Sequence, residues 1–398
     1  MSIRDCEQPP ARVPSERDPP HKAGGQRRED SDVPADHGPG ARIVMNDTVR
    51  DPEAKQRHID ACLDEAVEYR KTAGFERFEF VNEALPELSL ADLDLNTSVA
   101  GLPLRAPLMI SPMTGGTARG HAINRRLAAA AGRHGLAFCV GSQRVALESP
   151  ARAEFFRVRD VAPSIPVFAN LGAGQLARGY GATQARQAVE MIGADALFVH
   201  LNPLQEAVQG GDRDFRGVAR RLAMLCRELA ADGIPVYARE VCFGMTAATV
   251  ARLVDCGVAG IDCSGAGGTS WAKVEAYCAR TERGRELGLR FGEWGIPTSE
   301  SIANVRAAAP ALPLIASGGL RSGIDLAKAL ALGADVGGMA RPFLVAAHAG
   351  EEALERFVQN VVEELRICMF ATGSGSVSGL RGKLRPAVPA ATSTGMRA

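Results

Sequence analysis

The sequence predicts an α/β protein of the (β/α)8 TIM-barrel class, and three observations predict it. An apolar run, a polar or glycine-rich exit and a helical stretch recur eight times between residues 107 and 372. Each apolar run is continuous rather than alternating, as in a parallel strand covered on both faces. Eight such units over about 270 residues match the count and size of a closed barrel. An open doubly wound sheet would place a G-x-G-x-x-G turn after its first strand, and none stands there.

Strands are expected near 107–113, 137–143, 166–172, 196–202, 235–242, 260–265, 313–319 and 335–340. Their helices should begin near Ala118, Pro150, Gly181, Asp214, Thr246, Thr298, Ser322 and Glu351. Ahead of the barrel, charged helical periodicity runs from about residue 51 to 69. It opens on Asp51-Pro52, a cap and first-turn proline, and puts Lys55 and His58 on one face. An irregular approach with a short hairpin then completes a segment spanning 45–106. After the sixth strand, 269–297 is too long for an ordinary connection. It carries both tryptophans, Trp271 and Trp294, and is expected to form a lid over the strand ends.

Residues 1–44 are rich in Pro, Gly, Arg and Asp and nearly lack large apolar side chains, the composition of a disordered extension. Met45 stands where the composition changes and is the expected native start; intact mass from the native host tests it, and a length near 398 residues would refute it. From 373 to 398 Gly, Ser, Pro and Ala alternate, and a flexible tail is expected.

Acidic and basic residues balance at 46 each, so charge points neither to nucleic acid nor to an anionic membrane. No apolar run approaches the roughly 18 residues of a membrane span, and the first 20 residues lack the apolar segment of a secretory signal. Nine cysteines without a C-x-x-C pair argue against a disulfide framework or a zinc site. A reducing cytoplasm is the expected compartment.

The chemistry concentrates in 197–215. The fourth strand delivers His200, Asn202, Gln205 and Glu206 at its carboxyl end, where parallel α/β folds bind ligands. The last two exits are glycine-rich: Gly318, Gly319 and Arg321 follow strand seven, and Ala340 and Arg341 follow strand eight. Loops after strands seven and eight commonly hold a phosphate through backbone N–H groups, and two arginines add charge-assisted contacts. Earlier exits present Met113 and Thr114, then Ser142, Gln143 and Arg144, then Asn170, and later Ser264 and Thr269. Such small, amide and hydroxyl groups around a central cavity suit a flat ring with donors and acceptors at its edge. With the phosphate site they suggest FMN. His121 and His134 fall on the first barrel helix and read as surface or satisfied residues.

The segments SPMTGG, VGSQRVALE, FANLGAGQL, HLNPLQEAVQ, GDRDFRG, GAGGTSW, WGIPT, ASGGLRSG and MARPFL together resemble the type 2 isopentenyl-diphosphate isomerases, over residues 55 to 381. The resemblance implies a barrel enzyme that interconverts isopentenyl and dimethylallyl diphosphate, needing reduced FMN supplied by NAD(P)H and a magnesium ion. It further implies a homo-oligomer, tetramer or octamer. By position it gives catalysis to Gln205, His200 and Asn202, and metal binding to Glu206. Substrate contacts fall to Lys55, His58, Ser142, Gln143, Arg144 and Gln205. Flavin contacts fall to Met113, Thr114, Ser142, Asn170, Arg239, Ser264, Thr269, Gly318, Gly319, Arg321, Ala340 and Arg341. Two positions depart from the family. Ala54 stands for an arginine, unless Arg57 substitutes from another face of the helix. Arg239 stands for a lysine at the flavin's pyrimidine edge, an exchange that keeps the charge but fixes it. A flavin- and diphosphate-binding homologue without activity is the alternative. A hydroxy-acid oxidase is a third reading, but the His-Arg pair such enzymes use is not evident.

Overall fold

The computed structural model describes residues 54–64 and 66–387. The expectations placed on 1–44, on Met45, on Asp51-Pro52 and on residues past 387 lie outside them.

Eight parallel strands close a barrel: β1 (Leu108–Ile110), β2 (Ala137–Cys139), β3 (Val167–Gly172), β4 (Ala196–Leu201), β5 (Val236–Glu240), β6 (Gly260–Asp262), β7 (Leu314–Ser317) and β8 (Val336–Met339). The ring is sealed where Gly337 of β8 pairs with Leu108 of β1. Most strands are shorter than their apolar runs. Pro107, Pro166, Pro235 and Pro313 each precede a strand, and a proline has no N–H to donate to a ladder. Their carbonyls still accept from Gly337, Phe138, Leu197 and Ile261, so each proline marks the lower edge of the barrel.

Side chains alternate between two packed regions. Met109, Cys139, Phe168, Phe198, Tyr237 and Ile315 fill the barrel interior, with Phe168 and Phe198 stacked at 4.7 Å. Leu108, Ile110, Phe138, Val167 and Val199 face the helices. The expected hairpin is Thr97–Val99 with Leu102–Leu104. It sends Val99 and Leu104 into the barrel floor, and the Ala100 N–H donates to the Tyr237 hydroxyl at 3.1 Å. The hairpin covers this end of the barrel, opposite the strand exits that carry the cavities described below.

Several elements differ from expectation. The N-terminal helix α1 runs Ala54–Asp64 within the described residues. A 3-10 stretch, Pro150–Phe156, replaces the helix expected at Pro150. The exit of β4 is itself a helix, α2 (Pro203–Gln209), with Pro203 in its first turn and Gly210 at φ 83° closing it. The next helix starts at Val218 rather than Asp214, because the Asp214 carboxylate accepts from Arg216 N and forms a local turn first. The insertion folds as α3 (Trp271–Cys278) and α4 (Glu282–Arg290). After β8, α5 (Arg341–Ala349) precedes α6 (Glu351–Ala371). The tail expected to be flexible is held as far as residue 387: Leu380 is fully buried, and Leu384–Pro386 pairs antiparallel with Phe78–Phe80.

Candidate active site

Two cavities meet at the carboxyl ends of the strands, sharing Pro112, Met113, Arg239, Val241 and Trp271 in their walls. The larger, about 390 Å³, is lined by Lys55 and His58 of α1, Ser142, Arg144, Asn170, His200, Asn202, and Gln205 and Glu206 of α2. The smaller, about 60 Å³, is lined by Ser264, Thr269, Gly318, Gly319, Arg321, Ala340 and Arg341.

Helix α2 fixes the polar cluster. Its first turn points Gln205 and Glu206 inward, and Asn202 donates from Nδ2 to Gln205 Oε1 at 3.1 Å and Glu206 Oε1 at 3.0 Å. Glu206 Oε2 accepts from Asp212 N at 2.7 Å. Desolvation holds the Glu206 carboxyl above its usual range in spite of these donors. The other edge of the Gln205 amide donates from Nε2 to Glu275 Oε1 at 2.7 Å. His58 Nε2 lies 3.3 Å from the same carboxylate, and the His58 ring stands edge-on to Trp271. Glu275 belongs to α3 and is 5 % exposed. The insertion therefore supplies a buried acid directly behind Gln205.

His200 Nδ1 donates to Asn170 Oδ1 at 2.7 Å, which leaves Nε2 as an acceptor in the neutral ring. Desolvation, then Arg239, Lys55 and Arg144, pushes its pKa down to about 3, so the ring is neutral at physiological pH. Desolvation and Arg144 likewise lower the Lys55 ammonium to about 8. Arg144 shares the Glu148 carboxylate at 3.4 Å.

The smaller cavity is built by close backbone approach. Gly318 and Gly319 have φ of 99° and 78°, a region that favours glycine. A Cβ on Gly318 would press into the Gly265 backbone, and one on Gly268 into the Gly319 backbone. Glu68 Oε1 sits 3.0 Å from Arg321 Nη2 and 3.3 Å from Arg341 Nη1. Arg239 is 5 % exposed and faces Asp262 at 3.5 Å, while Ser317 Oγ donates to Asp262 Oδ1 at 2.6 Å. The buried Arg239 Nη1 and Ser111 Oγ have no hydrogen-bond partner. Beside Arg239, Glu240 accepts from Cys242 N at 2.7 Å and from Phe243 N, fastening the turn between the cavities.

These features fit FMN. A glycine cradle with two arginines suits a phosphate, and a buried cation with orphaned donors suits an electron-rich ring edge. For a metal, Glu206 is the candidate ligand, and no group of three or more His, Cys, Asp or Glu is placed to hold an ion among the described residues. A single carboxylate such as Glu206 is a hard oxygen ligand of the kind magnesium takes beside phosphates and water.

The structure brings nearly all the expected site residues to these two cavities. It does not bring Gln143 or Thr114. Gln143 is fully buried outside both cavity walls, its amide donating to Ala188 O and accepting from Asn170 N, and so braces the strands. Thr114 is 2 % exposed, and its carbonyl accepts from Gly141 N and Asn124 Nδ2. Arg57 is not in the wall of the larger cavity; it lines a small neighbouring one with Ala54, His58 and Arg280. His134 pairs with Glu355 at 2.7 Å; His121 packs against Phe155, its Nδ1 buried without a partner. Glu275 escaped sequence reasoning because no polar cluster or glycine surrounds it. Trp271 was placed in the insertion but not in the site.

Residues 51–156 and 222–385 match the family of FMN-dependent dehydrogenases. The isopentenyl-diphosphate delta-isomerase of Synechococcus sp. is 51 % identical over 339 residues, 84 % of this chain and 97 % of that protein. The chain belongs to the isopentenyl-diphosphate delta-isomerase family. The isomerase of Xanthobacter autotrophicus is also 51 % identical, over 82 % of this chain and 95 % of its own length. Among solved structures, a flavocytochrome b2 variant with pyruvate bound aligns at a TM-score of 0.59 and 18 % identity, covering 82 % of both chains. A mandelate oxidase variant aligns at 0.56 and 18 %, over 87 % of this chain and all of that one. The oxidase and flavocytochrome share the barrel with this chain; here α2 and Trp271 of α3 line the larger cavity.

Proposed function

We propose that the chain interconverts isopentenyl and dimethylallyl diphosphate, using reduced FMN with its phosphate in the glycine cradle of the smaller cavity and Mg²⁺ on Glu206. NAD(P)H is the reductant, and the working form is a cytoplasmic homo-oligomer. The observation that carries this reading is the Gln205 amide, clamped between Asn202 and Glu275 beside the wall shared by the two cavities.

Moving a double bond by one carbon adds a proton at one carbon and removes one from a neighbour. Bound reduced FMN supplies an electron-rich ring that stabilises the cationic character this develops. The chain's own residues do the rest. Lys55, His58 and Arg144 hold the diphosphate, and Glu206 with Asn202 holds its metal. An amide alone is a poor base. Gln205 escapes that limit, because a proton accepted at Oε1 is balanced by one passed from Nε2 to Glu275. Neutral His200 offers an acceptor at Nε2 without adding charge near the reacting carbons. Arg239 places fixed positive charge beside the ring edge, and Trp271 and Val241 exclude water from the wall between the cavities.

An anaerobic assay with isopentenyl diphosphate, FMN, Mg²⁺ and NADPH in D₂O tests the proposal. Deuterium in dimethylallyl diphosphate, lost in Gln205→Ala and Glu206→Gln, is the expected result. A flavin-loaded protein that binds diphosphate and exchanges no label would instead be a binding homologue.

A further inference from the structure

The larger cavity has an outer rim formed by the 3-10 stretch Pro150–Phe156. Arg152 of that stretch lines the cavity together with Lys55, His58 and Arg144. It also lines a shallow groove outside it, beside Gln56 and Thr117, which neither Lys55 nor Arg144 reaches. Arg152 is thus the outermost cation of the site.

Its hydrogen bonding is largely uncommitted. Nη1 donates to Gly116 O at 3.0 Å, and no carboxylate pairs with it among the described residues. A guanidinium carries five N–H donors in a planar fork, the geometry that grips a phosphate through two bonds at once. The other cations are compromised. Arg144 is partly neutralised by Glu148, and the charge on Lys55 is labile at mildly alkaline pH. The cavity also holds Glu206, and Ala54 on the α1 wall offers no donor. A terminal phosphate is the most highly charged part of a prenyl diphosphate, and the permanent positive charge without a counter-ion stands at the rim.

We propose that Arg152 is a substrate-binding residue that grips the terminal phosphate of the prenyl diphosphate and makes this cavity select diphosphates over monophosphates. The assignment rests on reading the cavity as a prenyl-diphosphate site. The unassigned geometry behind it is simple: a half-buried guanidinium, anchored by one bond to Gly116 O, lines both the outer groove and the cavity that Gln205 and Glu206 also line.

The test is calorimetric titration of inorganic pyrophosphate, and separately of inorganic phosphate, into the FMN-loaded protein with Mg²⁺. Loss of a charge-assisted contact predicts that Arg152→Ala weakens pyrophosphate about 10- to 100-fold and leaves phosphate nearly unchanged. Arg152→Lys recovers part of the loss, and adding Ala54→Arg to Arg152→Ala recovers part from the opposite wall. With isopentenyl diphosphate, KM rises by the same factor while kcat stays within about twofold of the parent. Arg152→Gln removes the charge but keeps part of the stem and an N–H donor, and an unchanged thermal midpoint and FMN content in it separate lost charge from lost fold. Pyrophosphate affinity equal to the parent's in Arg152→Gln overturns the proposal. So does an equal loss for phosphate and pyrophosphate. A parent that binds pyrophosphate but turns over no isopentenyl diphosphate would unseat the isomerase reading and leave this assignment standing.

Discussion

On the proposed mechanism, Gln205 is a weak base made useful by what stands behind it. The Glu275 carboxylate at 2.7 Å gives the amide a place to pass a proton. Glu275→Gln keeps the volume and an acceptor but takes up no proton, so kcat should fall about 10²- to 10⁴-fold with FMN binding unchanged. The double variant with Gln205→Ala should be no worse than the poorer single, because groups acting as a unit are not additive. Steady-state kcat at saturating substrate checks both, and a multiplicative loss would separate the two residues. Lys55 gives a pH signature. Its ammonium is lowered to about 8 by desolvation and Arg144, and only the protonated form attracts diphosphate. The kcat/KM profile of the free enzyme should therefore decline as pH rises through about 8. Lys55→Arg should flatten that limb, since a guanidinium keeps its proton. At this scale much was readable in the sequence. His200, Asn202, Gln205 and Glu206 lie within seven residues at a strand exit. Glu275 is 70 residues further along, on a helix whose inward face only the packing of α1 and α3 reveals.

Helices and loops carry the second level of specification. Pro203 reads equally well as a strand stop and as a first helical residue, and only the bond from Glu206 N to Asn202 O decides for the helix. The glycine-rich exits were plainer, since their function depends on backbone geometry that glycine alone adopts easily. Gly318 combines φ 99° with contact against the Gly265 backbone. Gly318→Ala should therefore strain or part the two loops at a cost of about 1–3 kcal/mol. FMN affinity should fall about tenfold or more, measured by quenching of flavin fluorescence on titration. Native-like affinity would mean that the cradle tolerates a side chain. The insertion shows the limit of loop-length reasoning. Its excess length marked it as special. That α3 is buried through Ala272, Val274 and Glu275 follows from tertiary contacts its own sequence does not display.

For the molecule as a whole, the barrel count was legible because each strand is an apolar run between a proline or glycine and a polar exit. The interior filling was not, since a run apolar on both faces hides which residues point inward. Phe168 and Phe198 do, stacked on each other with Tyr237 edge-on to both, over the hairpin floor. Phe168→Ala should cost about 3–5 kcal/mol of stability, read from chemical denaturation of the flavin-loaded protein. A loss under 1 kcal/mol would mean that the floor hairpin moves in to fill the gap. The pairing of residues 78–80 with 384–386 joins the two ends of the described chain outside the barrel, a contact invisible to any local reading. Glu68 makes a second long-range tie, reaching from the approach segment to Arg321 and Arg341 after the last two strands. On the proposed reading, loading the cofactor would be an ion exchange, in which an FMN phosphate would displace the Glu68 carboxylate from two guanidiniums. Glu68→Gln leaves those guanidiniums open to any small anion, so its FMN affinity should become sensitive to phosphate buffer where the parent's is not. Parallel titrations in phosphate and in Tris would show it, and equal sensitivity in both proteins would rule the exchange out.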